Sequence, residues 1–127
     1  MASLVDVLAA VMPVESLDDG ALTIAHGGTF ASLRPVSIAD DLTMVSLNQM
    51  LAWDLPLDDH LRKSVAAQAE KTTLGTITLI ERPEGSGGQA DVVLRYNFPV
   101  GGLGDQALQT LVMMVLTTGA EVRRAFS

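Results

Sequence analysis

The sequence predicts a single α+β domain spanning residues 1–127, with elements in the order α-β-β-β-α-β-β-α and an antiparallel sheet covered by the N- and C-terminal helices. Three observations lead there. Val92, Leu94, Tyr96 and Phe98 interleave with Asp91, Val93, Arg95 and Asn97, the period of two expected of a strand with one packed face. From Asp105 to Phe126 the spacing turns helical, because Leu108, Leu111, Val112, Val115, Val122 and Phe126 share one wide stripe when each residue advances about 100°. The connections between elements are short, which favours antiparallel neighbours, and the first and last helices carry the stripes suited to one sheet face.

Taken in order, Ser3 and Asp6 resemble a capping box with Asp in place of Glu or Gln, and Leu4, Val7, Leu8 and Val11 form a stripe up to Pro13. Glu15, Asp18, Asp19 and Gly20 read as an acidic turn. Strands follow at Leu22 to Ala25 and Thr29 to Arg34, joined by His26-Gly27-Gly28, a hairpin signal. Pro35 is expected to close the second strand. Ser37 to Asp41 should link it to a third near Leu42 to Leu51, with a bend or bulge near Asn48 to Met50. Trp53-Asp54-Leu55-Pro56 ends that section.

Asp58 and Asp59 open a second helix whose narrow stripe, Leu61, Val65 and Ala69, places it on a surface or against another subunit. A β-branched strand from Leu74 to Arg82, a flexible Pro83 to Gly88 loop and the strand at residues 91–98 come next. Pro99, Gly101 and Gly102 turn the chain, and Asp105 opens the closing helix, where a carboxylate meets unpaired backbone N–H groups. Gly119 lies within the apolar stripe, where it admits a close neighbour, although glycine in a helix costs about 1 kcal/mol relative to alanine. Met113 and Leu116 point away from that stripe, among Gln106, Gln109, Thr117 and Arg124. They are candidates for a partner or dimer contact, although isolated exposed apolar residues are common on any surface.

Hydrophobic residues make up 48% of the chain, enough for a real core at this length. Eight Lys and Arg stand against fifteen Asp and Glu, and the net charge of -7 opposes the phosphate neutralisation that nucleic-acid binding depends on. Nucleic acid and membrane are therefore not expected partners. Without cysteine there is no disulfide framework, thiolate metal site or Cys nucleophile. The apolar start lacks a basic n-region and is interrupted by Asp6, so it reads as an amphipathic helix and not a signal peptide. No run reaches the roughly 18 apolar residues of a membrane span, and a cytoplasmic setting is expected.

Catalytic chemistry leaves little trace. Asp58-Asp59-His60 gathers two carboxylates and an imidazole, but adjacent helical positions diverge by about 100°, and helix capping explains the carboxylates better. Asp40-Asp41 reads as a turn former and His26 as a turn histidine. Gly85-Ser86-Gly87-Gly88 lacks the lysine and the following helix of a phosphate loop. Arg95 is the more informative residue: it pairs either a partner carboxylate or a cross-strand acid. No enzyme activity, metal or cofactor is expected.

The segments D-V-V-L-R-Y-N-F-P-V-G-G-L (91–103), L-G-T-I-T-L-I (74–80) and L-N-Q-M-L-A-W-D-L-P (47–56) resemble the bacterial YbjN-like family, and the layout is similar to the related type III secretion chaperone fold. The resemblance covers nearly the whole chain, and R-Y-N-F-P is its most specific part. It implies an acidic, cytoplasmic, homodimeric protein that binds an unfolded or extended segment of a client protein. YbjN-like proteins are also described as sensory-transduction regulators. A chaperone-like peptide-binding module is the expected function, with Met113, Leu116 and Arg95 as expected contacts; a regulatory adaptor recognising a folded protein is the alternative.

Overall fold

In the computed structural model, which describes residues 3–82 and 88–126, the elements are α1 (Leu4–Ala9), β1 (Glu15–Ser16), β2 (Leu22–His26), β3 (Thr29–Ala39), β4 (Leu42–Pro56), α2 (Asp59–Lys71), β5 (Thr76–Glu81), β6 (Gln89–Pro99) and α3 (Asp105–Arg123). The strands form one antiparallel sheet in the order β1-β2-β3-β4-β6-β5. The fold is the expected α+β domain. Gly27 and Gly28, both at positive φ, make the two-residue β2–β3 turn. Ser3 Oγ accepts from the Asp6 N–H at the start of α1, and Asp58 Oδ1 accepts from the Leu61 N–H at the start of α2.

Alternation along the strands sends Leu22, Ile24, Leu33, Val45, Leu47, Leu94 and Phe98 to one face, where they form a single core with Leu8, Leu61, Val65, Val112 and Val115 from the helices. α3 crosses β2, β3 and β4, α2 lies on β5, and α1 packs against α3. All three helices therefore cover the same face. Among the described residues, no helix is long and apolar enough to cross a membrane.

One buried polar group joins these layers. Gln49 on β4 is fully buried; its Nε2 donates to Thr29 Oγ1 at 2.8 Å and to the Leu116 carbonyl of α3 at 3.1 Å. Thr29 Oγ1 in turn donates to the His26 carbonyl at 2.5 Å, closing the β2–β3 hairpin. The amide's orientation follows from its partners, since a carbonyl only accepts. Gln49 Oε1 then faces Gly119 with no N–H or O–H donor among the described residues, and a Cβ on that glycine would overlap the amide. The expected close approach at Gly119 is thus filled by the Gln49 amide.

Several expectations need correction. The acidic turn contains a short strand, β1, followed by a 3-10 turn at Asp18–Gly20. Pro35 does not end β3, because β2 pairs only as far as Leu33 and the proline's missing donor falls on an unpaired edge. The expected link Ser37 to Asp41 is mostly strand, with a register shift between Ser37 and Ala39 and a turn of Asp40 and Asp41 alone. β4 continues through Trp53 to Pro56, and its register shifts fall between Met50 and Leu55, just beyond the expected bulge. α2 is anchored to the core through Leu61 and Val65. The flexible loop expected at Pro83 to Gly88 lies, apart from Gly88, outside the described residues.

Leu116 is the site residue that the fold overturns. It is fully buried in the core and offers no partner contact. It lies only about 80° around the helix from Leu108, on the flank of α3 that α1 covers, where Gln109 Nε2 donates to the Val7 carbonyl at 2.8 Å. The apolar arc is wide because α3 meets two neighbours, a sheet and a helix.

Two opposed magnitudes meet at Gly119. Alanine there gains about 1 kcal/mol of helix propensity but overpacks by about 1–3 kcal/mol and strands the Gln49 amide. Gly119→Ala should therefore lower the urea midpoint, whereas in a Gln49→Ala background the same change should raise it. Additive effects in this double-mutant cycle would show that the two residues do not share the space.

Candidate functional site

With the helices on one side, no described element covers the other face of the sheet, and the strand register arranges its side chains in rows. Ala25, Phe30, Met50, Val93 and Thr78 stand side by side on β2, β3, β4, β6 and β5. The next row, two residues along each strand, is Glu15, Thr23, Ser32, Asn48, Arg95 and Thr76, one polar residue from every strand. Beyond it lie Arg34, Ser46 and Asn97. An apolar band thus runs beside a polar band across the sheet. The rows are about 7 Å apart, and Glu15 and Arg95 are separated by four strand spacings, about 19 Å.

The apolar band ends in an aromatic corner. Phe30 is 56% exposed and Trp53 39%, with ring centroids 5.7 Å apart. Arg123, from the end of α3, places its guanidinium carbon 5.4 Å from the Trp53 ring and donates to the Leu51 carbonyl at 2.6 Å. This cation–π contact fixes the only tryptophan at the rim of the face. An open concavity of about 670 Å³ runs from this corner to Pro13 and Glu15.

Charges on the face differ in how they are satisfied. Arg34 pairs with Asp19 at 3.5 Å, and Arg82 bridges Asp54 and Asp91, donating to Asp91 Oδ1 at 2.7 Å. The Asp91 and Asp54 carboxylates raise the Arg82 guanidinium further above its ordinary value, against the lowering effect of burial. A pKa raised on folding gives stability that is present below the unfolded value and lost only as pH rises above it, so Arg82 adds no pH dependence near neutrality. Arg95 has neither arrangement. It is exposed, with no ion pair or hydrogen bond to another described residue, and its register neighbours Asn48 and Thr76 are neutral.

The other sequence candidates are dispersed. Met113 is half-buried against the core and lines a groove with Val11 and Met114, the latter 52% exposed, on the outer side of α1 and α3. Arg95 and Met113 lie on opposite sides of the molecule. Asp58, His60 and Ser64 border a concavity of about 280 Å³ beside Phe126, yet Asp58 caps α2 and no hydrogen bond joins the three. Among the described residues, no three His, Asp or Glu side chains converge as metal ligands. The six-strand polar row was missed because it depends on register, although the alternation of R-Y-N-F-P does place Arg95 and Asn97 opposite Tyr96 and Phe98.

These features define a class: a one-sided α+β sheet with a banded, uncovered face. No protein-family model matches the chain, and no curated protein sequence matches it significantly.

Burial separates structural from surface roles on α3. Leu116→Ala should cost about 2–5 kcal/mol and Met114→Ala less than about 0.5 kcal/mol, both read from chemical denaturation. Equal costs would contradict the placement of α1 over the Leu116 flank.

Proposed function

We propose that this chain is a non-enzymatic, chaperone-like module that binds an extended segment of a partner protein across the uncovered face of its sheet. The supporting observation is the pairing of bands: Phe30 and Met50, beside the buried Val93, supply apolar area, and the adjacent row from Glu15 to Arg95 supplies hydrogen-bonding groups. Burial of apolar area drives association at about 25 cal/mol per Å², while the polar row fixes orientation. Met50, at the centre, suits a surface that must repack against different sequences.

The resemblance to the YbjN-like family and the type III secretion chaperone arrangement supports this reading, and it adds a cytoplasmic homodimer to the proposal. A second reading, a regulatory adaptor for a folded partner, draws on the outer groove at Val11, Met113 and Met114. The two use opposite sides of the molecule.

An unstructured peptide of about ten residues, long enough to cross the sheet at about 3.3 Å per residue, separates them. With alternating Leu and Ser it should alter Trp53 emission and release heat on titration. Phe30→Asp should remove both responses, and Met114→Asp neither. Failure of such peptides to bind wild-type protein would discard the extended-segment reading.

A further inference from the structure

We propose that the segment bound on the uncovered face is acidic as well as apolar, and that Arg95 selects it by pairing a carboxylate while a neighbouring apolar side chain of the segment rests on Phe30 and Met50 above the buried Val93. This rests on the binding reading above and names its partner chemistry.

The chain carries fifteen acids and eight Lys and Arg, yet among the described residues one arginine of the sheet face has no counter-charge. Arg34 and Arg82 meet aspartates, whereas Arg95 stands among Asn48, Thr76, Thr78 and Asn97, all neutral, beside an open concavity of about 490 Å³. A guanidinium presents five N–H donors in a planar fork that matches a carboxylate. Hydroxyl and amide neighbours can bond the same ligand without competing for the positive charge. At the other end of the row Glu15 repels a carboxylate, so the face has a polarity about 19 Å long.

Placement of the apolar band sets the ligand's pattern. Arg95 and Val93 lie two residues apart on β6, and Asn48 and Met50 two apart on β4, so carboxylate and apolar contacts are about 7 Å apart. That matches side chains two positions apart on an extended segment. The net charge of -7 disfavours an acidic ligand at long range. At about 0.15 M salt the screening length is about 8 Å, and the contact at Arg95 then outweighs the distant acids.

The test uses three peptides of about ten residues in which every second position alternates between Leu and Glu, Gln or Lys, with Ser between them, titrated at about 0.15 M salt and read by Trp53 emission and calorimetry. Wild-type protein should bind the Glu peptide about fivefold or more tighter than the Gln peptide, with the Lys peptide weakest. Arg95→Gln should abolish the Glu-over-Gln preference, and Arg95→Glu should reverse the order to favour Lys, with thermal midpoints unchanged. Binding of all three peptides with equal affinity would overturn this inference and leave the binding reading intact. Binding of none would overturn both. The chain's own β3–β4 turn, Asp40 and Asp41 beside exposed Ile38 and Leu42, is a rival occupant. A dimer that Arg95→Glu dissociates and added Asp40→Lys and Asp41→Lys restore, seen by light scattering, would identify a second copy instead and overturn the inference.

Discussion

The buried amide of Gln49 is the constraint around which this protein is assembled. A glutamine in the interior carries a desolvation cost that only well-placed partners offset, and here those partners come from two separate elements, β3 and α3. Thr29 ties it to the β2–β3 hairpin, the Leu116 carbonyl ties it to α3, and Gly119 supplies the space. An apolar residue at the same position could pack in several ways; the amide accepts one helix position and one hairpin position. The direction of α3 across β2, β3 and β4 follows, and with it the face that stays uncovered.

Placing every helix on one side divides the sheet's work. The covered side holds the apolar core, and the uncovered side is released from packing, so its residues are free to be chosen for contact with something else. Polar residues from six strands then line up in one row without cost to the core. The aromatic corner is tied to both sides, since Arg123 belongs to the helix layer and Phe30 to the open face.

Much of this was legible in the sequence wherever local chemistry decides the outcome. Gly27-Gly28, Ser3 and Asp58 act within a few residues of themselves, and their roles read directly from residue type. Periodicity also identified the sheet and α3. What escaped notice depends on distant partners: Pro35 is tolerated because β2 has already ended, and Leu116 is buried because α1 folds back over its flank. Gly119 could be read as a close approach, but the side chain that fills it lies 70 positions earlier in the chain. Arg95 stood out by its residue type, while its neutral surroundings became visible only through the pairing of β4, β5 and β6.

The β3–β4 hairpin outruns β2, so Val36 to Ala39 pair on one side only, with Val36 and Ile38 exposed. An unpaired strand edge of this kind invites other chains to add to it. Pro35 removes a donor at the start of the free stretch, the irregularity at Ser37 to Ala39 breaks its flatness, and two aspartates sit at its tip. Together these act as gatekeepers against uncontrolled sheet growth. Colloidal stability of the protein at high concentration is consequently governed by a few residues at one corner.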